Sequence, residues 1–158
     1  MKRTLLFLSI LSLSLFNSCK EDPKIGDASS KLNGINASWE VFEVIQSYPT
    51  LTGKVEWDVT YHYQNDEGNL EVTFNSDDFS YDVSAPGMNN IFGEGGSWAY
   101  DNDQFPTQVT LSQGSGEELV LPLGAVVREV DQFLHLVYER DCGGEAYITY
   151  DFIFTRKS

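Results

Sequence analysis

The sequence predicts an all-β protein: a single domain built as an antiparallel up-and-down β-barrel, with a two-sheet β-sandwich as the alternative. Three observations carry this. From Trp39 onward apolar residues recur every second position rather than every three to four. Short clusters of Asn, Asp, Ser and Gly separate the runs, as hairpin connections require. No segment between the runs has the length and period of a crossover helix, so neighbouring strands run antiparallel. Full closure of the sheet removes the exposed edges that an open meander leaves.

The elements follow in order. Asp27 is placed to cap a short helix running through Leu32 and ended by Gly34. Trp39-Glu40-Val41-Phe42-Glu43-Val44-Ile45 is a mostly apolar first strand. Lys54 to Gln64 alternates most strictly: Val55, Trp57, Val59, Tyr61 and Tyr63 share one face, expected to be buried, and His62 lies on the other. Asn65-Asp66-Glu67-Gly68-Asn69 is a turn. Leu70, Val72 and Phe74 form the next strand. Asn75-Ser76-Asp77-Asp78 turns again, and Phe79, Tyr81 and Val83 return. Ser84 to Gly96, with Pro86, Gly87, Gly93, Gly95 and Gly96, is a loop longer than a hairpin needs. Further strands are expected at Ser97–Tyr100, around Val109 and Leu111, at Leu119–Leu123 and at Gln132–Arg140. After a turn at Asp141-Cys142-Gly143-Gly144, Ile148, Tyr150, Phe152 and Phe154 form an aromatic stripe. This makes eight or nine strands.

Residues ahead of the barrel speak to location. Met1-Lys2-Arg3 is a short basic start, and Thr4 to Phe16 is uncharged and rich in Leu, Ile, Phe and Ser. That is an export signal, too short to span a bilayer. It ends at Ser18, followed by Cys19, and Leu15-Phe16-Asn17-Ser18-Cys19 resembles a lipobox, the site of acylation and cleavage in a bacterial lipoprotein. The resemblance implies a signal peptide at 1–18, acylated Cys19 opening a tether at 19–30, and the barrel domain at 31–158. Lys20-Glu21-Asp22 looks like the acidic export signal of Bacteroidota-type surface lipoproteins. It implies an outer-membrane, lipid-anchored protein exposed at the cell surface, with a periplasm-facing anchor as the alternative.

Charge excludes one class of partner. The chain carries a formal charge of −14. Removing residues 1–18 takes Lys2 and Arg3, leaving 8 basic against 24 acidic side chains, a charge of −16. A nucleic-acid backbone is repelled by such a protein. With Cys19 acylated, Cys142 is a single thiol with no base indicated beside it. His62 and His135 lack neighbours at zinc-ligand spacing, and no metal site is expected. Asp77-Asp78 and Asp101-Asn102-Asp103 read as turn acids, not a calcium loop. Gly114-Ser115-Gly116-Glu117 lacks the pattern of a nucleophile elbow. No cofactor signature is present, and catalysis is not expected.

Lys20 to Ser30, Leu32-Asn33-Gly34 and a Trp-led first strand are joined by later marks. These are Gly96-Ser97-Trp98-Ala99-Tyr100-Asp101 and Phe133-Leu134-His135-Leu136-Val137-Tyr138-Glu139. Over most of residues 31–156 the chain resembles the small lipocalin-like lipoproteins of unknown function found in Bacteroidota-type secretomes. The resemblance implies a lipocalin-like barrel. It also implies that Arg156, after the last strand, lies over the ring of Trp39 and closes one end. Trp98 and Tyr100, beside the long loop, and Phe92 within it are the candidate ligand-binding aromatics, with core packing the favoured role for Trp98. The expected function is non-catalytic binding of a small apolar molecule or a glycan at the surface. The alternatives are an accessory subunit docked on an outer-membrane protein complex and, behind both, a hydrolase. A filled barrel argues for docking, and an open mouth beside residues 84–98 for a ligand.

Overall fold

The computed structural model describes residues 31–157 apart from positions 89 and 144. The expected signal peptide at 1–18, Cys19, Lys20-Glu21-Asp22, the expected tether at 19–30 and Asp27 lie outside the described residues. A one-turn helix, α1 (Leu32–Ile35), leads into eleven strands: β1 (Ala37–Thr50), β2 (Gly53–Asp58), β3 (Gln64–Asn65), β4 (Gly68–Asn69), β5 (Glu71–Asn75), β6 (Ser80–Ser84), β7 (Gly95–Tyr100), β8 (Gln108–Gln113), β9 (Glu118–Pro122), β10 (Phe133–Cys142) and β11 (Glu145–Arg156). The helix runs one residue past Gly34. Lys31 gives it no side-chain cap, and tertiary contacts hold it in place.

Eight strands form one continuous antiparallel sheet in the order β10-β11-β1-β5-β6-β7-β8-β9. The sheet curls until its ends meet, where Leu123 just beyond β9 bridges to Leu136 of β10. The result is a nearly closed up-and-down barrel of the lipocalin-like kind, not a sandwich of two sheets. Its inward positions supply the core expected from the alternation. Val72 and Phe74 from β5, Val109 and Leu111 from β8, Leu134 and Leu136 from β10, and Phe152 and Phe154 from β11 are all buried.

One irregularity sets the shape. A bulge between Val41 and Glu43 shifts the β1 register against β11. It keeps both Val41 and Val44 buried and turns Phe42 outward, the re-aiming that a bulge provides. Beyond it β1 leaves β5 and pairs with β2 from Ile45 to Thr50, so the β1–β2 hairpin rises above the barrel.

Here the expected strand at 54–64 fails. β2 ends at Asp58, a 3-10 turn occupies Thr60–His62, and only Gln64–Asn65 is extended again. Local hydrogen bonding wins over alternation: Asp58 Oδ1 accepts the Thr60 N–H at 2.9 Å, and Thr60 Oγ1 accepts the Val44 N–H at 2.9 Å. Of the face expected to be buried, Val59 is, but Trp57 and Tyr61 are exposed. Two smaller expectations also shift. Phe79 is the turn residue before β6, at φ 55°, and β10 extends to Cys142, leaving Gly143 in the turn.

The end of the barrel where α1 sits is sealed. Trp39 is fully buried and donates through Nε1 to the Ile35 carbonyl at 2.7 Å. The Arg156 guanidinium lies 4.5 Å from the centre of the Trp39 ring. It donates to the Gly34 carbonyl at 2.7 Å and to the Asp131 carbonyl at 3.1 Å. Gly34 is required by space: a Cβ there would run into the Val127 carbonyl oxygen. One arginine thus ties α1, β1, β11 and the segment between β9 and β10 together.

Candidate functional site

The opposite end carries the site. Three segments meet there: the β1–β2 hairpin, the turn and β3–β4 ribbon that follow, and the long loop 85–94 between β6 and β7. Loop 85–94 does not stand open. Phe92 is fully buried inside the barrel, its ring 5.2 Å from Phe152 and 6.0 Å from Phe154 in edge contacts. The Tyr81 hydroxyl fixes the plug by donating to the Phe92 carbonyl at 3.0 Å.

The three aromatics proposed as one ligand site are therefore not one site. Phe92 fills the barrel from the mouth. Trp98 is 2% exposed, packed edge-on to Phe74 and bonded through Nε1 to the Asn75 carbonyl at 3.1 Å. Tyr100 contacts Trp98 at 5.2 Å and lies toward the sealed end. Its hydroxyl is buried without a hydrogen-bond partner among the described residues, and burial pushes the phenol well up, keeping it protonated. The reason is the register. Trp98 pairs with Leu111 on the inward face of β7, which makes it core.

Above Phe92 lies a cleft of about 500 Å³, lined by Gln46, Val59, Tyr61, His62, Tyr63, Gln64, Asn65, Gly87, Met88 and Tyr150. Its floor is a phenol layer. Tyr63 stands edge-on to Phe152 at 5.1 Å, and Tyr150 lies 6.0 Å from Tyr138. Burial first, then the neighbouring Tyr150 and Tyr138, push the Tyr63 phenol up, so it remains a neutral donor and acceptor. On the rim, Tyr61 and His62 pack against each other with ring centres 4.0 Å apart, and Tyr61 is 69% exposed. On the hairpin, Trp57 stacks on Tyr48 at 4.7 Å.

Amides build the walls. Gln64 donates from Nε2 to the Val41 carbonyl at 3.1 Å. Asn65 donates to the Pro86 carbonyl at 2.8 Å and accepts the Glu67 and Gly68 N–H groups, fastening the ribbon to loop 85–94. Among the described residues no Asp or Glu is part of this lining, and the Glu67 carboxylate lies at its edge beside Gly87.

The other sequence candidates lie elsewhere. His135 faces outward on β10, with Nε2 3.2 Å from the Asp151 carboxylate on β11. Asp101 and Asp78 cap turns. The Thr107 hydroxyl, then the Thr107 and Gln108 N–H groups, hold the Asp101 carboxyl at about 2. Among the described residues no three His, Cys, Asp or Glu side chains converge as metal ligands. Gln46 and the exposure of Tyr61 escaped the sequence reading. The signal that would have found them is Asp58-Val59-Thr60, an Asx-turn pattern set inside a strand-like alternation. The chain matches no protein-family model and no curated protein.

Proposed function

We propose that this chain is a non-catalytic binding protein, held at the outer-membrane surface by an acylated Cys19, that takes a glycan in the cleft at the barrel mouth. On this reading it belongs with the lipocalin-like lipoproteins it resembles, and Lys20-Glu21-Asp22 directs it to the cell surface. The observation that carries the proposal is the contrast between the two available volumes. The barrel interior is occupied by Phe92, which disfavours an apolar ligand there. The cleft above it is walled by phenols, amides and the Tyr61–His62 pair. Aromatic faces stack on the apolar face of a sugar ring, while amides and phenols match its hydroxyls.

Among the described residues no pair of carboxylates lines that cleft, which favours binding over hydrolysis, because glycoside cleavage needs a pair flanking the bond. The Glu67 carboxylate at the cleft's edge and the acidic protein around it disfavour an anionic ligand. The filled interior equally serves the alternative of an accessory subunit docked on an outer-membrane complex. The two readings part on whether the cleft binds anything.

The test is an oligosaccharide array followed by calorimetry on the full lipoprotein in detergent. Tyr61→Ala and Gln46→Ala are each expected to weaken the selected oligosaccharide by roughly ten-fold, about 1.4 kcal/mol. Tyr61 is exposed, so the fold tolerates its loss. An array with no hit, or affinities unchanged by both substitutions, sinks the proposal.

A further inference from the structure

Exposed apolar side chains gather around the sealed end. Phe105 is 72% exposed, Val130 75%, Val126 39% and Phe133 56%. Phe105 follows β7, and Val126 and Val130 sit in the segment between β9 and β10. Phe133 opens β10. Phe42, 56% exposed on the outer wall, meets Phe133 edge-on at 6.1 Å. A groove of about 360 Å³ runs between Val126, Arg128 and Phe133. Water gains nothing from these groups, and the core does not use them.

The described chain also begins here. Lys31 donates its N–H to the Asp103 carbonyl at 3.1 Å, two residues from Phe105. Cys19 lies twelve residues upstream, a reach of at most about 40 Å for a fully extended chain. An anchor on Cys19 thus attaches to the sealed end and holds that end close to the lipid.

We infer that the sealed rim, through Val126, Val130 and Phe133, rests in the headgroup–acyl boundary of a zwitterionic bilayer and points the mouth cleft away from the membrane. This rests on the lipid-anchor reading above. The bilayer is the occupant because a tether this short keeps it constantly within reach, so a shallow contact too weak to recruit a free protein is populated. Charge agrees with a zwitterionic surface. Arg128 and Asp131 neutralise each other across 2.7 Å, while Glu129 and the exposed Asp103 beside Phe105 disfavour anionic lipid.

The experiment uses the full acylated chain carrying Cys142→Ser and a single environment-sensitive fluorophore at Val130→Cys or, as control, Leu51→Cys, on phosphatidylcholine–phosphatidylethanolamine vesicles. Both positions are exposed, so labelling leaves the core intact. The expected result is a blue-shifted label at position 130, quenched by lipid-borne nitroxide roughly five-fold more than the label at position 51. Protein that floats with the vesicles while both labels stay in water overturns the inference and leaves the anchor standing. So does shielding of position 130 only when other membrane proteins are added, which assigns the rim to a protein partner. Protein that fails to float overturns the anchor reading and this inference with it.

Discussion

Single residues decide both ends of this barrel. Arg156 makes one ring contact and two side-chain hydrogen bonds, to the Gly34 and Asp131 carbonyls. Lysine carries the same charge but cannot place a flat cation on Trp39 while donating to Gly34 and Asp131 together. Arg156→Lys is expected to cost about 2 kcal/mol in chemical denaturation, within the range of a lost charge-assisted hydrogen bond plus a cation–π contact. A cost near zero would show that α1 closes the barrel without it. Asp101 acts through protonation. Its folded carboxyl sits at about 2, below the ordinary unfolded value near 3.9. The stability it gives is complete above about pH 4 and is lost as the pH falls toward 2; raising the pH costs nothing. Thr107→Val, which removes the leading hydroxyl donor, is expected to move the Asp101 carboxyl upward in a carboxyl-carbon NMR titration. An unmoved midpoint would contradict the assigned cause. The Trp39–Arg156 contact was legible through resemblance. The Asp101 cap was legible only as a turn, because nothing in Asp-Asn-Asp says that Thr107, six residues on, folds back onto it.

At the scale of elements, two segments were read differently by the sequence and by the fold. The alternation from Val55 to Tyr63 has the period of a half-buried strand, yet the Asp58–Thr60 and Thr60–Val44 hydrogen bonds break it. Tyr61 thereby reaches the rim of the cleft. Period-two reasoning succeeds where both neighbours are barrel staves and fails where β1 has parted from β5 and pairs with the β2 hairpin instead. A long glycine-rich loop was legible at 84–96, but β7 claims Gly95 and Gly96 and the loop's direction was not legible. Phe92 inserts against the inward aromatics of β11, meeting Phe152 and Phe154 edge-on. Phe92→Ala is expected to cost about 3–5 kcal/mol and to open an apolar cavity beneath the cleft. The variant should then take up a small apolar probe such as xenon, seen by NMR shifts at Phe152 and Phe154. Absence of uptake despite a folded spectrum would mean that the loop collapses into the space.

Over the whole molecule, the barrel was legible because nearly every stave carries its own alternation and its own turn. The sealed end and the mouth were not, since each is assembled from residues distant in sequence: Gly34, Asp131 and Arg156 at one, Gln46, Tyr61, Met88 and Tyr150 at the other. The resulting body is polar in the literal sense. Its sealed end carries exposed apolar groups and the first described residue, its centre is filled, and its far end holds a cleft of phenols and amides. That division is the basis for placing recognition at the mouth and nothing inside. Native mass spectrometry of the full chain, released from detergent after equilibration with mixed oligosaccharides and mixed fatty acids, tests it most directly. The account predicts an adduct of carbohydrate mass that disappears in Tyr61→Ala. A fatty-acyl adduct retained in that variant would put the ligand inside the barrel and contradict it.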